Sequence, residues 1–328
     1  MQTFARWVAT PENRSARLAV GHVAECVCSG RPRHESNPLF LHGPSGTGKT
    51  HLVAALAHEL ARRRPELSVR IIAARELTEA KIANSFGWQS YPDECDLLAV
   101  EDVQQLPGRA AETLVQLFDD RLAHRQQMVF TATTGPAQLT HLPVRLTSRL
   151  GSGLVVGLTP FGPASRLAFL QDRTERRQLA VGRDVLAWFA EHLSGSVRQL
   201  EGAVARLETL VRLHDRLPSL AAVAEHFGAE IEATRPTVER IAERVGRHFQ
   251  VDPRLLQSRR RSRGALVPRQ IAMCLARRLT PLSLEQIGAY FGGRDHSTVL
   301  HACRKVEQAL VEDVPLSQAV RRLQADLA

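Results

Sequence analysis

The residues of this chain best suited to chemistry lie between Gly43 and His51, where Gly43-Pro44-Ser45-Gly46-Thr47-Gly48-Lys49-Thr50 satisfies the spacing G-x-x-x-x-G-K-[ST]. Glycines at those positions let backbone N–H groups turn inward onto phosphate oxygens. Lys49 would then reach the β and γ phosphates, and the Thr50 hydroxyl would hold Mg²⁺ at a helix N-terminus. An apolar run, Pro38 to Leu41, precedes the loop, and a helical pattern, Leu52 to Leu60, follows it. That order of strand, loop and helix is the one such a cradle needs. Only three of the 43 basic residues are lysines (Lys49, Lys81 and Lys305). A chain that otherwise uses arginine thus places a compact ammonium where a guanidinium fork would not fit.

A second group of candidates is Glu101 and Asp102, which end the apolar run that begins at Asp96. In a parallel sheet the carboxyl ends of the strands gather the ligand, so both acids would arrive beside the phosphates. One can help hold hydrated Mg²⁺ while the other orients or deprotonates the attacking water. Capping of the next helix is the alternative reading. The strand Met128 to Thr134 should run alongside, its polar end directed at the γ phosphate. The short helical segment Val144 to Leu150 carries Arg145 and Arg149 one turn apart, either solvated or reaching a neighbouring subunit's nucleotide. Phe4 and Val8 either flank a base or pack the N-terminal segment onto the core.

The elements that must position these residues alternate between strand and helix up to about residue 160. They include a strand over Leu67 to Ala73 and helices over Arg75 to Phe86 and Ala110 to His124. From Phe161 the pattern is purely helical: Pro163 to Gln178, Val181 to His192, and Ser194 to about His214. This is a small helical lid, with Arg198 placed to return to the phosphates. Ala221 to Glu232 reads as a connecting helix. The domains expected are therefore a nucleotide-binding base over 1–160, a lid and connector over 161–232, and a third domain over 233–328. With 328 residues and 44% hydrophobic content, each part has material for a core. No stretch reads as a signal peptide or an 18-residue membrane span, and five cysteines without a C-x-x-C pair point to a reducing cytoplasm.

Between Arg254 and Lys305 eleven basic residues face two acids, Glu285 and Asp295, a surplus that accounts for the whole net charge of +9. A basic C-terminal quarter on a neutral body suggests one domain for a polyanion. Thr237 to Phe249 is helical, Ser258 to Gly264 is a charged loop, and Pro268 to Leu279 reads as a helix starting at its proline. Ser283 to Phe291, Gly292-Gly293, and Asp295 to about Leu310 read as helix, tight turn, helix, with Asp295 as N-cap. The second helix opens with short polar residues, His296, Ser297 and Thr298, that can reach base edges in a major groove. Arg294, Arg304, Lys305 and the arginine loop would grip phosphates or enter the minor groove.

These residues together resemble the DnaA family of bacterial chromosomal replication initiators, from Thr3 to the C-terminus. The stretches that carry the resemblance are Gly48-Lys49-Thr50-His51-Leu52, Ser196 to Ala203, Arg260-Arg261-Ser262-Arg263, Pro268-Arg269-Gln270 and Gly292 to Lys305. It implies an α/β fold, an AAA+ P-loop parallel sheet with a helical lid, followed by an all-α helix-turn-helix DNA-binding domain. It implies that Gly43, Gly46, Thr47, Gly48, Lys49, Thr50 and His51 hold ATP or ADP, and that Thr50, Glu101 and Asp102 serve Mg²⁺. Arg149 would be the arginine finger, Arg198 the second sensor and Thr133 the first. Arg260, Arg261, Arg263, Arg269, Gln270, Arg294, Asp295, His296, Ser297, Thr298, His301, Arg304 and Lys305 would contact double-stranded DNA at origin boxes, with Arg261 in the minor groove. The implied partners are that DNA and further copies of the chain, assembled head to tail with ATP, in a cytoplasmic, nucleoid-associated protein that promotes origin unwinding.

Four departures shape the expectation. The family usually carries an N-terminal helicase-contacting domain and linker before the segment that begins here at Met1, so that domain is expected to be missing and helicase contact is in doubt. The acid pair reads Glu-Asp where the family has two aspartates. Thr133 stands where a sensor aspartate is expected, so ATP binding with slow hydrolysis, used as a switch, is the expectation. The stretch Phe86 to Asp96 contains no Arg or Lys, whereas the family uses basic and apolar residues there on single-stranded DNA. The alternative function is a related regulator that binds the same boxes without opening DNA.

Overall fold

The computed structural model describes residues 3–30, 34–77, 95–193, 196–214, 219–234, 236–259, 263–280 and 282–327, and the chain divides into two compact units, 1–217 and 218–328. In the first unit five short strands form a parallel sheet: β1 (Leu39–His42), β2 (Val69–Ala73), β3 (Leu97–Glu101), β4 (Gln127–Ala132) and β5 (Leu154–Gly157). Their spatial order is β2-β3-β4-β1-β5. Alternate residues of a strand face opposite sides, and here both sides are buried. Phe40, Leu98, Val100, Met128 and Phe130 share a core with α3 (Ala111–Ala123) and α4 (Val144–Leu150). Leu39, Leu41, Leu97, Ala99 and Val129 share another with α1 (Arg14–Cys28) and α2 (Lys49–Arg63). The layers are therefore helix, sheet, helix.

This order brings the loops after β1, β3 and β4 to one end of the sheet. Gly43 N–H donates to the Ala132 carbonyl at 3.1 Å, and Asp102 N–H donates to Thr131 Oγ1 at 3.1 Å. The edge strand β5 is an addition to the sequence reading. It has four residues and an exposed Val155, too short and too irregular for a periodic signal. Of the helix expected over Arg75 to Phe86, the structure shows a 3₁₀ turn at Ala74–Glu76, and 78–94 lie outside the described residues.

The lid is three helices, α5 (Pro163–Arg176), α6 (Arg183–His192) and α7 (Val197–His214). Glu201 on α7 accepts from Arg173 Nε at 2.6 Å and Arg177 Nη2 at 3.0 Å, cross-tying α5 to α7.

The second unit is helical: α8 (Leu220–Thr234), α9 (Val238–Phe249), α10 (Pro253–Leu256), α11 (Arg263–Leu279), α12 (Leu284–Tyr290), α13 (His296–Glu312) and α14 (Val314–Leu327). Its core gathers Ile241, Val245, Leu256, Ile271, Leu275, Ile287, Phe291, Val299 and Val306. One expectation is corrected here. The long helix begins at Arg263 rather than at Pro268, which sits inside it. Ala265 is buried in the same core, so the extra turn has an apolar anchor. Pro268 removes one donor, to the Gly264 carbonyl, in the second turn of the helix.

Between α12 and α13 the chain turns through Gly292 and Gly293, at φ of 93° and 65°. Gly288 lies so close to the Arg294 carbonyl that an added Cβ would overlap that oxygen. Gly288→Ala is therefore expected to destabilise the unit by about 1–3 kcal/mol, since fixed backbone must shift. Gly228→Ala, on α8 with open space at its Cβ position, is expected to be neutral or stabilising by about 0.5–1 kcal/mol. Urea unfolding of the two variants checks the contrast.

Candidate nucleotide site and nucleic-acid interface

The phosphate loop is shaped by contacts that exclude side chains. Gly46 and Gly48 have φ of 81° and 99°, where L side chains are strained. A Cβ on Gly46 would overlap Ser196 Oγ, and one on Gly48 would lie 2.9 Å from the Trp7 ring. The Gly46 carbonyl accepts from Val197 N–H at 3.0 Å, so the first residue of lid helix α7 is bonded to the loop itself. Arg198 follows one position later, and its side chain is exposed. Thr47 Oγ1 donates to the Pro44 carbonyl at 2.9 Å, closing the turn.

Lys49, the first residue of α2, is only 7% exposed. Its Nζ donates to the Gly43 carbonyl at 2.6 Å and the Pro44 carbonyl at 3.0 Å. Burial pulls its pKa below the usual lysine value, and the negative charges of Asp102 and Glu101 oppose that pull. The opposite holds at Glu101. Burial pushes its carboxyl above the usual range, a hydrogen bond from Thr50 and the charge of Lys49 counter this, and Asp102 adds to it. Glu101 Oε1 is buried with no hydrogen-bond partner among the described residues.

That orphaned oxygen and the Thr50 hydroxyl are oxygen donors of the kind magnesium takes, and the buried ammonium beside them suits phosphate. The residues fit a magnesium nucleotide. Asp102, in the left-handed region at φ 57°, makes no side-chain cap to the 3₁₀ turn Val103–Gln105 that follows. Its Oδ1 instead accepts from Gln104 Nε2 at 3.0 Å, and Gln104 Oε1 accepts from Thr133 N–H at 3.1 Å. Gln104 thus joins the acid to the end of β4, a link that neither spacing nor composition signals.

Phe4 lies under the Arg17 guanidinium, 3.8 Å from the ring centroid, and packs against the α1 core. Trp7 is the aromatic residue at the loop. Its ring meets Gly48 and His51, with ring centroids 5.2 Å apart for the latter pair, and its Nε1 is buried with no partner among the described residues. His51 Nε2 lies 3.2 Å from the Thr3 carbonyl, and burial lowers its pKa. Glu12 accepts from Gly162 N–H and Ser165 Oγ, both at 2.8 Å, while Arg173 Nη2 donates to the Arg6 carbonyl at 2.9 Å. The N-terminal segment therefore ties the loop to the lid. The scarcity of tryptophan, three in the chain, was the one sequence signal that could have singled out Trp7.

Arg149 is placed by α4 next to α3. Its Nε and Nη2 donate to Asp119 Oδ1 and Oδ2 at 2.6 and 2.8 Å. Arg145, one turn earlier, lies 3.9 Å from Glu112 and 4.0 Å from Asp119.

In the second unit, α12 starts with a capping box between Ser283 and Gln286, and α13 starts with Asp295 as its N-cap. Asp295 Oδ1 accepts from Thr298 N–H at 2.8 Å, Thr298 Oγ1 at 2.5 Å and Ser297 Oγ at 3.0 Å. These bonds, those from Thr298 foremost, hold its carboxyl below the usual range. Val299, Ala302, Cys303 and Val306 are buried, leaving His296, Ser297, Thr298, His301, Arg304 and Lys305 exposed along one face. Arg294 Nη2 donates to the Arg259 carbonyl at 2.9 Å, fixing the arginine loop's start to the turn.

Arg269 departs from the expected DNA-facing position. It is 3% exposed and donates to the Leu256 and Leu255 carbonyls at 2.8 and 2.6 Å, so it joins α11 to α10 from inside. Gln270 is half-buried. Arg260 and Arg261 lie outside the described residues, as does the side chain of Arg263.

Two family models match the chain. One for the bacterial DnaA ATPase domain covers residues 1–157, and one for the bacterial DnaA helix-turn-helix covers residues 238–306. The chromosomal replication initiator protein DnaA of Enterococcus faecalis is 32% identical over 331 residues, spanning 98% of this chain and 73% of that protein. Its counterpart in Cereibacter sphaeroides is 35% identical over 341 residues, spanning 98% and 73%. Among solved structures, the replication initiator DnaA bound to AMPPCP and single-stranded DNA is similar with a TM-score of 0.59 and 25% identity, covering 99% of this chain and 96% of that one. Domain III of the Thermotoga maritima replication initiation protein DnaA gives a TM-score of 0.60 at 25% identity, covering 70% and 97%. No helix among the described residues is long and apolar enough to cross a membrane.

The loop geometry yields a prediction. Gly46→Ala combines left-handed strain of about 1–3 kcal/mol with the Ser196 overlap, and is expected to weaken binding of a fluorescent ATP analogue at least about tenfold. Ser196→Gly in the same chain removes the overlap but not the strain, so titration of the double variant should recover only part of the loss.

Proposed function

The chain belongs to the bacterial DnaA family of replication initiators, with an ATPase domain and a helix-turn-helix domain, and from that premise we propose that it is an ATP-switched origin-binding protein. On this reading residues 1–160 are the nucleotide-binding base, 161–232 the lid and connector, and 233–328 the part that reads double-stranded boxes. It works in the cytoplasm, assembles head to tail when ATP is bound, and opens adjacent duplex. The observation that carries the reading is the face of α13, where six polar or basic side chains stand exposed over a buried apolar row on a helix capped by Asp295.

Lys49 would hold the phosphates, Thr50 and Glu101 would hold the metal's shell, and Asp102, steadied by Gln104, would orient water. When bound, magnesium ATP supplies concentrated negative charge at the subunit boundary and a bond that can be hydrolysed. Arg198 answers to the nucleotide within the chain and Arg149 to that of a neighbour. Thr133 contributes a backbone N–H to Gln104 and carries no charge with which to place the attacking water. Turnover is therefore slow, which suits a switch. In support, a related initiator of known structure is bound to AMPPCP and to single-stranded DNA.

Fluorescence anisotropy on a duplex with several consensus boxes, against a scrambled duplex at equal salt, tests the reading. Tight, cooperative binding with ATP and weak binding with ADP is the expected result. Box-specific binding indifferent to nucleotide would instead support a regulator that does not open DNA. His296→Ala is expected to relax base preference at a cost of about 1–3 kcal/mol, whereas Lys305→Ala should weaken cognate and random DNA alike and reduce the salt slope by about one. Equal losses for the His296 variant on both duplexes would contradict its base-reading role.

A further inference from the structure

We propose that Asp119 is the positioning residue for Arg149, holding its guanidinium in the orientation that meets a neighbouring copy's triphosphate. The inference rests on the reading of Arg149 as the residue that reaches across the subunit boundary. Four side chains form a matched pair of stripes. Glu112 and Asp119 are seven apart on α3, hence on one face, and Arg145 and Arg149 are four apart on the facing helix α4. Leu146 and Leu150 are fully buried in the core that α3 also joins, so the α4 backbone is fixed relative to the acids.

Arg149 engages Asp119 in the bidentate way that a planar fork and a carboxylate allow, through Nε at 2.6 Å and Nη2 at 2.8 Å. Its Nη1 donates to the Arg145 carbonyl at 3.2 Å. Of five guanidinium N–H groups three are engaged, and one remains on each terminal nitrogen. The side chain is thus held by one edge while donors remain for an incoming oxyanion. Asp119 also stands 4.0 Å from Arg145, so it reduces the repulsion between two like charges one turn apart. An unheld arginine would lose its rotamer freedom only on assembly, and each contact would be weaker by that loss. Asp119 removes part of that loss in advance.

The test uses the full chain, its Asp119→Ala, Asp119→Asn and Arg149→Ala variants, and the Asp119→Ala/Arg149→Ala pair. Assembly with ATP is followed by sedimentation velocity, ATP binding by dilute protein through titration with a fluorescent analogue, and folding by thermal melting. Asp119→Ala should weaken ATP-dependent assembly roughly tenfold, a misplacement effect, with Asp119→Asn intermediate because it keeps one acceptor. The double variant should assemble no worse than Arg149→Ala alone, since Asp119 acts through that arginine. ATP affinity of the dilute protein should be unchanged.

Unchanged or tighter assembly of Asp119→Ala, with Arg149→Ala still impaired, would overturn the positioning role and leave the Arg149 reading intact. A further loss in the double variant would likewise overturn it. If Arg149→Ala itself assembles normally, the reading of Arg149 fails first and the inference falls with it.

Discussion

A buried ammonium is the constraint on which the nucleotide-binding unit depends. Lys49 is nearly inaccessible to water, and an unpaired charge in such a place would neutralise or force the site apart. Two loop carbonyls and the acids ending β3 compensate it, and each partner makes its own structural demand. The loop that presents the carbonyls has Gly46 and Gly48 in left-handed backbone. The acids arrive only if β3 is parallel to β1 with β4 between them. Strand order, loop conformation and charge balance are thus three aspects of one arrangement. The same arrangement leaves Glu101 Oε1 buried without a hydrogen-bond partner among the described residues.

The second unit solves a different problem, because one face of α13 stays in water. Val299, Ala302, Cys303 and Val306 of α13 are buried in the core, with Leu310 packed against it, and the remaining faces are free to carry His301, Arg304 and Lys305. The first turn of a helix has unsatisfied N–H groups, and Asp295 takes one of them together with two hydroxyls. In doing so it orients Ser297 and Thr298. The cap that terminates the tight turn and the first exposed residues of α13 are one hydrogen-bonded cluster. Gly288 and the two turn glycines permit the close approach of α12 that makes this turn possible.

Much of this was legible in the residues. Phosphate loop, acid pair, lid and helix-turn-helix all stand out because each rests on a local pattern: glycine spacing, an apolar run ending in acids, or a cap after a glycine pair. What escaped depends on long-range contact. Trp7 against Gly48, Glu12 on the amide of Gly162, Gln104 between Asp102 and Thr133, and Ser196 over Gly46 each join residues whose neighbours in sequence give no sign of the meeting. The burial of Arg269 was not foreseen for a related reason. An arginine in a basic stretch reads as surface, yet the carbonyls of Leu255 and Leu256 at the end of α10 draw this one inside. Pro268 misled because proline marks a helix start only when nothing before it has an apolar anchor, and Ala265 is such an anchor.

The distribution of arginine partners separates two kinds of role on this chain. Arg121 and Arg269 are buried with their donors on backbone carbonyls, and Arg173 is tied to acids and to the Arg6 carbonyl. These side chains join elements together, and removing one would leave acceptors unsatisfied. Arg198, Arg145 and Arg304 are instead exposed, and Arg149 is half-buried with one edge of its fork on Asp119 and donors left over. On the proposed reading the surface group divides by what it meets: Arg198 the chain's own nucleotide, Arg149 a neighbour's, and Arg304 a DNA phosphate. Each meets a polyanion through a fork suited to two oxygens, while the one site that needs a point charge has Lys49. A chain that uses arginine almost everywhere has one of its three lysines where geometry requires it, and that choice ties its composition to its chemistry.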